Sequence, residues 1–257
     1  MSKRKRFIVT SLILSAGLLV IANLVDLSLR YLGIGFLSLL TVGLTIWSLK
    51  EALEGIEWLI IPILPVFFTL SVSLFHFLLP PSFVTLVIVI LSFAFGIYVL
   101  FLTENIFSVA AIHNIALFRA ASSVAFLLTL VTAFFLFDVI FSFRLALWLN
   151  AGLVFLTSLG LFLQSLWSVK LEKVLDQKTC FYSIVLALVL GQFAFALSFW
   201  PVSVVLASLF LTAVAYVLLG LSQAHLTGRL FRKTVREYLL VGIGVFFTLI
   251  LTTRWGG

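Results

Sequence analysis

The sequence predicts an all-α fold, a polytopic bundle of nine transmembrane helices, and three observations predict it. First, 63% of the 257 residues are hydrophobic and 10% are charged, with a mean hydropathy of +1.32; a soluble domain carries roughly 25% charge. Second, the apolar residues gather into nine runs, each close to the ~20 residues a helix needs to cross ~30 Å of hydrocarbon. Third, with Lys3–Arg6 placed in the cytoplasm, thirteen of the sixteen Lys and Arg residues fall on the cytoplasmic side, and only Arg30, Arg144 and Arg254 fall outside. That asymmetry is the positive-inside pattern. The runs are unbroken, whereas barrel strands alternate apolar and polar residues. The expected topology has the N-terminus inside and the C-terminus outside. One membrane domain, 1–257, is expected because no polar block is long enough for a soluble one.

The first span, 7–25, follows the basic Met1–Arg6 stretch and has the outline of a secretory signal. Ala22–Asn23–Leu24–Val25–Asp26 supplies no small-x-small cleavage pattern, so the span is expected to be retained. The second span, 33–49, is the shortest and carries Gly33, Gly35 and Gly43. If it failed to cross, every later loop would change side and the charge bias would invert, which argues for keeping it. The third span, 58–79, has Pro62 and Pro65 in its first two turns; Pro65 frees a carbonyl one turn back and predicts a loosened or kinked entry. The remaining spans are 84–103, 119–138, 145–167, 181–199, 203–222 and 238–254.

Outer connections are short, at Pro80–Ser82, Phe141–Arg144 and Pro201–Val202, while the inner ones, 50–57, 104–118, 168–180 and 223–237, are longer and polar. Trp47, Trp58 and Trp167 sit at inner span ends and Trp148, Trp200 and Trp255 at outer ones, as expected for amphipathic rings at headgroup depth. Odd-numbered spans recur about every 60 residues. The period reads either as a parallel repeat of the kind some transporters show or as the length any helical hairpin and its linker occupy.

The net charge of +7 comes without a nucleic-acid reader motif. Cations facing anionic lipid explain it, at roughly 1 kcal/mol each near the surface. The lone Cys180 excludes an internal disulfide and a cysteine metal site. His76 belongs near an outer end and His113 and His225 to the inside, too far apart for one coordination sphere. No metal and no cofactor are therefore expected. None of the nine acidic residues lies near the middle of a span, which weighs against a proton- or sodium-coupled carrier. Asp138 with Arg144, and Asp26 with Arg30, are expected as salt bridges at helix ends. Gln164, Gln192, Asn23 and Asn150 are amides at membrane depth, suited to joining helices. Gly220–Leu221–Ser222 has the outline of an intramembrane serine-protease nucleophile, but the last span has no histidine to serve it. No other catalytic constellation is present, and no enzyme is expected.

Two sets of residues stand out. The inner segment joining spans four and five holds Glu104, Asn105, His113, Asn114 and Arg119, with Ile106, Phe107 and Ile115 too apolar for a solvated loop. A short helix in the inner interface, or a re-entrant turn, is expected there, with Glu104 and Arg119 as a possible ion pair. The second set is Arg229, Arg232, Lys233 and Arg236, which would share one face of a helix and suit anionic headgroups. The runs LTENIFSVAAIHNIALFRAASSVAFLLTLVTAFF (102–135), FWPVS (199–203) and VREYLLVGIGVFF (235–247) resemble uncharacterised polytopic membrane proteins of small-genome bacteria. That resemblance implies a bacterial cytoplasmic membrane and brings no activity. The expected role is a non-enzymatic scaffold or subunit of a membrane complex, partnered by lipids and another membrane protein; the alternative is a carrier of lipid-like or other apolar solutes.

Overall fold

The computed structural model describes residues 2–51, 53–109 and 115–253, which form ten helices and no strand. They are α1 (Lys3–Ala22), α2 (Leu27–Leu49), α3 (Glu57–Ile60), α4 (Ile63–His76), α5 (Phe83–Val109), α6 (Ile115–Ser142), α7 (Leu147–Lys170), α8 (Gln177–Leu197), α9 (Val204–Leu226) and α10 (Arg232–Thr252). With α3 and α4 counted together as Glu57–His76, nine segments among the described residues are long and apolar enough to cross a membrane. The protein is an all-helical, multi-pass membrane protein.

The short second span is a full-length helix of 23 residues. Asp26 starts it early, accepting a hydrogen bond from the Ser28 N–H as the N-cap, and Gly33 lets Ile21 of α1 approach closely instead of breaking the helix. The proline-rich third span is interrupted at Ile61–Pro62, with Pro62 capping α4 and Pro65 in its first turn, where a missing N–H costs little. Segment 104–118 differs from expectation. Residues to Val109 continue α5 and those from Ile115 belong to α6, so both flanks extend long helices rather than forming a separate interfacial one.

The expected end bridges do not form. Asp26 is the α2 cap, while Arg30 donates from Nε to the Leu24 carbonyl and stands 4.9 Å over the Phe77 ring. Asp138 is buried against the Ser208 hydroxyl, and Arg144 is exposed in the α6–α7 turn with φ 49°. Trp167 also departs from a headgroup role: it is buried, and its indole N–H donates to the Glu172 carbonyl. Trp255 lies outside the described residues.

The chain packs as two compact units, Met1–Thr132 and Ala133–Gly257. In the first, α1 packs on α2 and α5, and α4 on α2 and α5. Hydroxyls join these helices: Thr10 to Ser48, Thr41 to Thr69, and Ser11 to the Ala94 carbonyl. Such groups are favoured at membrane interfaces because lipid supplies no hydrophobic drive between helices. Phe68 stacks on Phe93 at 5.9 Å and occupies the space above Gly96, where a Cβ would collide with it. In the second unit α7, α8 and α9 pack on one another, and α10 lies along α9. Gly191 seats α8 against the Ala151 carbonyl and Phe155 of α7, and Gln223 of α9 donates to the Ser165 carbonyl and hydroxyl on α7.

Candidate functional site

Chain direction alone gathers the cations at one end of each unit. In the first unit this end holds the start of α1, the close of α2 and the close of α5, because α1 and α5 are antiparallel, with Phe7 stacked on Phe101 and Ser11 bonded to Ala94. In the second unit it holds the close of α7, the start of α8, the close of α9 and the start of α10.

At the basic end of the first unit Arg6 is buried, and its Nη2 donates to Glu51 Oε1 at 2.7 Å. Glu57 is buried too, accepting from the Glu54 N–H. Glu104 of the predicted cluster is fully buried on α5, one turn beyond Phe101, and so falls opposite the cationic first turn of α1. Asn105 beside it is half-buried, its Oδ1 sealed from solvent. Arg119 is exposed on the first turns of α6, an environment unlike that of Glu104. His113 and Asn114 lie outside the described residues. Glu104 and Asn105 thus join the packed end of the α1–α5 pair. The burial of Arg6 was not legible in the sequence, where it is one of four consecutive cations.

At the basic end of the second unit the predicted headgroup set is split between two elements. The α9 helix ends in a left-handed Gly228 (φ 68°), with the Arg229 N–H bonded to the Ala224 carbonyl and the Gly228 N–H to that of His225. This Schellman-type close leaves Arg229 in the link, while Arg232, Lys233 and Arg236 begin α10; the single amphipathic linker helix expected over 225–237 is absent. All four are exposed. Cations in the first turn oppose the helix dipole, by roughly 0.3–1 kcal/mol each, so helix stability does not account for them. Arg232 and Arg236 stand at one end of a groove of about 460 Å³ whose stem is Val235, Leu239, Leu240 and Ile243. That outline matches a charged headgroup above an acyl chain.

A second cavity at the same end, about 670 Å³, lies between the close of α7, the start of α8 and the close of α9. Lys170, Gln177, Lys178, Tyr182 and His225 line it. Lys170 is held at 3.1 Å by Asp176, the α8 N-cap, with Glu172 at 3.6 Å. The ammonium of Lys170, with the Lys178 N–H, holds the Asp176 carboxyl below the usual carboxylate range. This cavity is not legible in the sequence, because its lysines and histidine come from three helices.

The opposite end of the second unit has a cavity of about 560 Å³ lined by Arg144, Asn150, Ser198, Trp200 and Ser203. Asn150 is buried there, its amide nitrogen 3.5 Å from both the Ser198 hydroxyl and the Leu145 carbonyl. No group of three or more potential metal-ligating side chains occurs among the described residues.

Gln192 occupies a different setting from the other amides. It lies within α8 on the exposed side, and its side chain makes no hydrogen bond among the described residues. It belongs to an exposed stripe of Phe181, Val185, Leu188, Gln192 and Phe195 on α8, whose alternating steps of four and three are those of a heptad seam.

Residues 33–252, from α2 to the end of α10, match the family described as protein of unknown function (DUF5656). No curated protein and no solved structure matches the chain.

Proposed function

We infer that this chain, which belongs to the DUF5656 family, is a non-enzymatic subunit or scaffold of a membrane complex, docking a partner transmembrane helix along the outer face of α8. Gln192 carries the reading. An amide facing hydrocarbon without a partner costs several kcal/mol, and a polar residue at one seam position of a heptad stripe sets register between helices. An amide both donates and accepts, so a second copy of the chain satisfies it. The basic ends then face the cytoplasm of a bacterial cell, with the anionic leaflet drawing Arg229, Arg232, Lys233 and Arg236 to its surface.

The test is the assembly state of the full chain in lipid nanodiscs and by native mass spectrometry, for the natural chain and for Gln192→Leu. The variant is expected to weaken assembly about three- to thirty-fold, the range of one interhelical hydrogen bond of roughly 0.6–2 kcal/mol. An unchanged assembly state in Gln192→Leu, or a chain that stays monomeric in its own membranes, would sink the proposal. Orientation is read separately with Cys180, which a membrane-impermeant maleimide is expected to label only from the cytoplasmic side.

A second reading, a carrier, draws on the cavities at both ends of the second unit and on the α7 face between them, which buries Asn150, Ser158, Ser165 and Ser168. It predicts that a small polar thiol reagent reaches Ser158→Cys. Complete protection would remove it.

A further inference from the structure

The cavity between α7, α8 and α9 shares Phe181 alone with the stripe on α8, and its polar chemistry is its own. Its polar lining consists of hydrogen-bond donors, or groups able to donate, and no carboxylate is among the lining residues: Lys170, Gln177, Lys178, Tyr182 and His225. The nearest acids on the adjoining loop, Asp176 and Glu172, are engaged by Lys170. They hold its ammonium in place while leaving a third proton to donate. The lining carries two cations, Lys170 and Lys178, and no anion. The local field favours an anion.

The walls are preformed. Leu171 closes α7 in a left-handed conformation (φ 52°), which costs a non-glycine residue roughly 1–2 kcal/mol. Its N–H bonds to the Trp167 carbonyl, and the Trp167 indole bonds to the Glu172 carbonyl beyond it. Gly228 closes α9 with two bonds, which fixes His225. The His225 ring meets Tyr182 edge-on at 6.1 Å. A volume of about 670 Å³ falls within the ~300–1,000 Å³ of small-ligand sites. The remaining lining is apolar: Phe181, 65% exposed, and Leu226. Phe181 and Leu226 give the rim an apolar side that the tails of an amphiphile can meet.

We propose that this cavity binds the phosphate of an anionic phospholipid, with Lys178, Lys170 and His225 around the phosphate oxygens, Gln177 and Tyr182 toward the rest of the headgroup, and Phe181 and Leu226 against the first carbons of the tails. It is separate from the groove on α10, whose cations are Arg232 and Arg236.

The experiment is native mass spectrometry of the full chain titrated with phosphatidylglycerol or with phosphatidylcholine of the same acyl chains. Arg232→Gln/Arg236→Gln, which removes the cations of the α10 groove, is the background in which Lys178→Gln and Lys178→Gln/His225→Gln are compared, each chain first shown to melt at the natural temperature. In that background the chain is expected to retain one phosphatidylglycerol in preference to phosphatidylcholine. Lys178→Gln should lower that affinity about fivefold, the size expected for one cation beside an anionic headgroup, and the double variant further. Equal binding of the two lipids, or a preference that survives Lys178→Gln/His225→Gln, overturns the proposal. Free glycerol 3-phosphate is the other arm: if it displaces the lipid at comparable concentration, the ligand is a soluble phosphate ester and the lipid assignment fails.

Discussion

The spans Glu57–His76 and Arg232–Thr252 are nearly equal in length, 20 and 21 residues, and the apolar 18-residue stretch of each has a mean hydropathy of 2.2 and 1.7; yet 56% of the first stretch and 6% of the second is buried. Lipid is as apolar as a leucine side chain, so hydropathy says little about which face meets protein. What separates them is the detail of the seam. The buried span carries Thr69, Ser71 and Ser73 on its packed side, with Thr69 bonded to Thr41 of α2 and Phe68 stacked between α4 and α5. The exposed span touches α9 through one line of contacts. Tyr238 lies over Gly220, Gly242 beside Val217, and Phe246 at 6.0 Å from Phe210, while Trp200 beyond the close of α8 donates to Thr253.

The sharpest way to break this comparison is truncation of one phenylalanine in each span. Phe68→Ala empties a packed site and is expected to cost about 3–5 kcal/mol. Phe247→Ala, at a residue 58% exposed, should cost less than about 0.5 kcal/mol. Unfolding of the two variants in the same micelle measures the difference, and equal losses would erase the distinction. Next in size is Gly220→Ala. Its methyl would enter the Tyr238 ring, and overpacking of this kind costs about 1–3 kcal/mol. Hydrogen exchange should rise along α10 and stay unchanged in the first unit. Gly244→Ala, with open space around it, serves as the control and is expected to stabilise α10 by up to ~1 kcal/mol.

A smaller effect tests the hydroxyl seam of the buried span. Thr41→Val removes the bond to Thr69 and should cost about 0.6 kcal/mol, the mean for interhelical bonds in membranes. No loss at all would assign that seam to shape alone. The smallest effect lies at Asp176, on the loop before α8. Its carboxyl titrates below its ordinary range when folded, so its contribution to stability is present above the unfolded pKa and is lost as pH falls through the folded one. Unfolding followed from neutral pH down to below about 4, the unfolded range, should show a shallow decline that Asp176→Asn abolishes. A decline of equal slope in the variant would place the acid sensitivity elsewhere.

Much of the architecture was legible residue by residue. Pro65 predicts a loosened entry one turn back, and the third span is interrupted there, at Ile61–Pro62; Gly228, unmarked by hydropathy, closes α9 because only a glycine takes φ 68° without strain. Less of the candidate site was legible. Asp26 and Arg30 are correctly spaced for a bridge, but the bare N-terminus of α2 offers Asp26 a backbone donor, and the Leu24 carbonyl with the Phe77 ring offers Arg30 a better setting. The basic face expected over 225–237 required one helix, and the Gly228 turn makes two. Gln192 was recognisable as a polar group at membrane depth; that it points away from its own bundle was not.

Composition along the chain sets the class of object, the number of segments able to cross a membrane and the crowding of cations at one end of each hairpin. Those properties follow from how much water each segment tolerates, a matter of composition along a single helix. Which faces are covered is a matter of packing between helices. Packing buried Arg6 and Glu104, turned Gln192 outward, and brought Lys170, Lys178 and His225 from three helices to one cavity. Those outcomes depend on which helix lies beside which, and side-chain fit between neighbours leaves no periodic trace in any one of them.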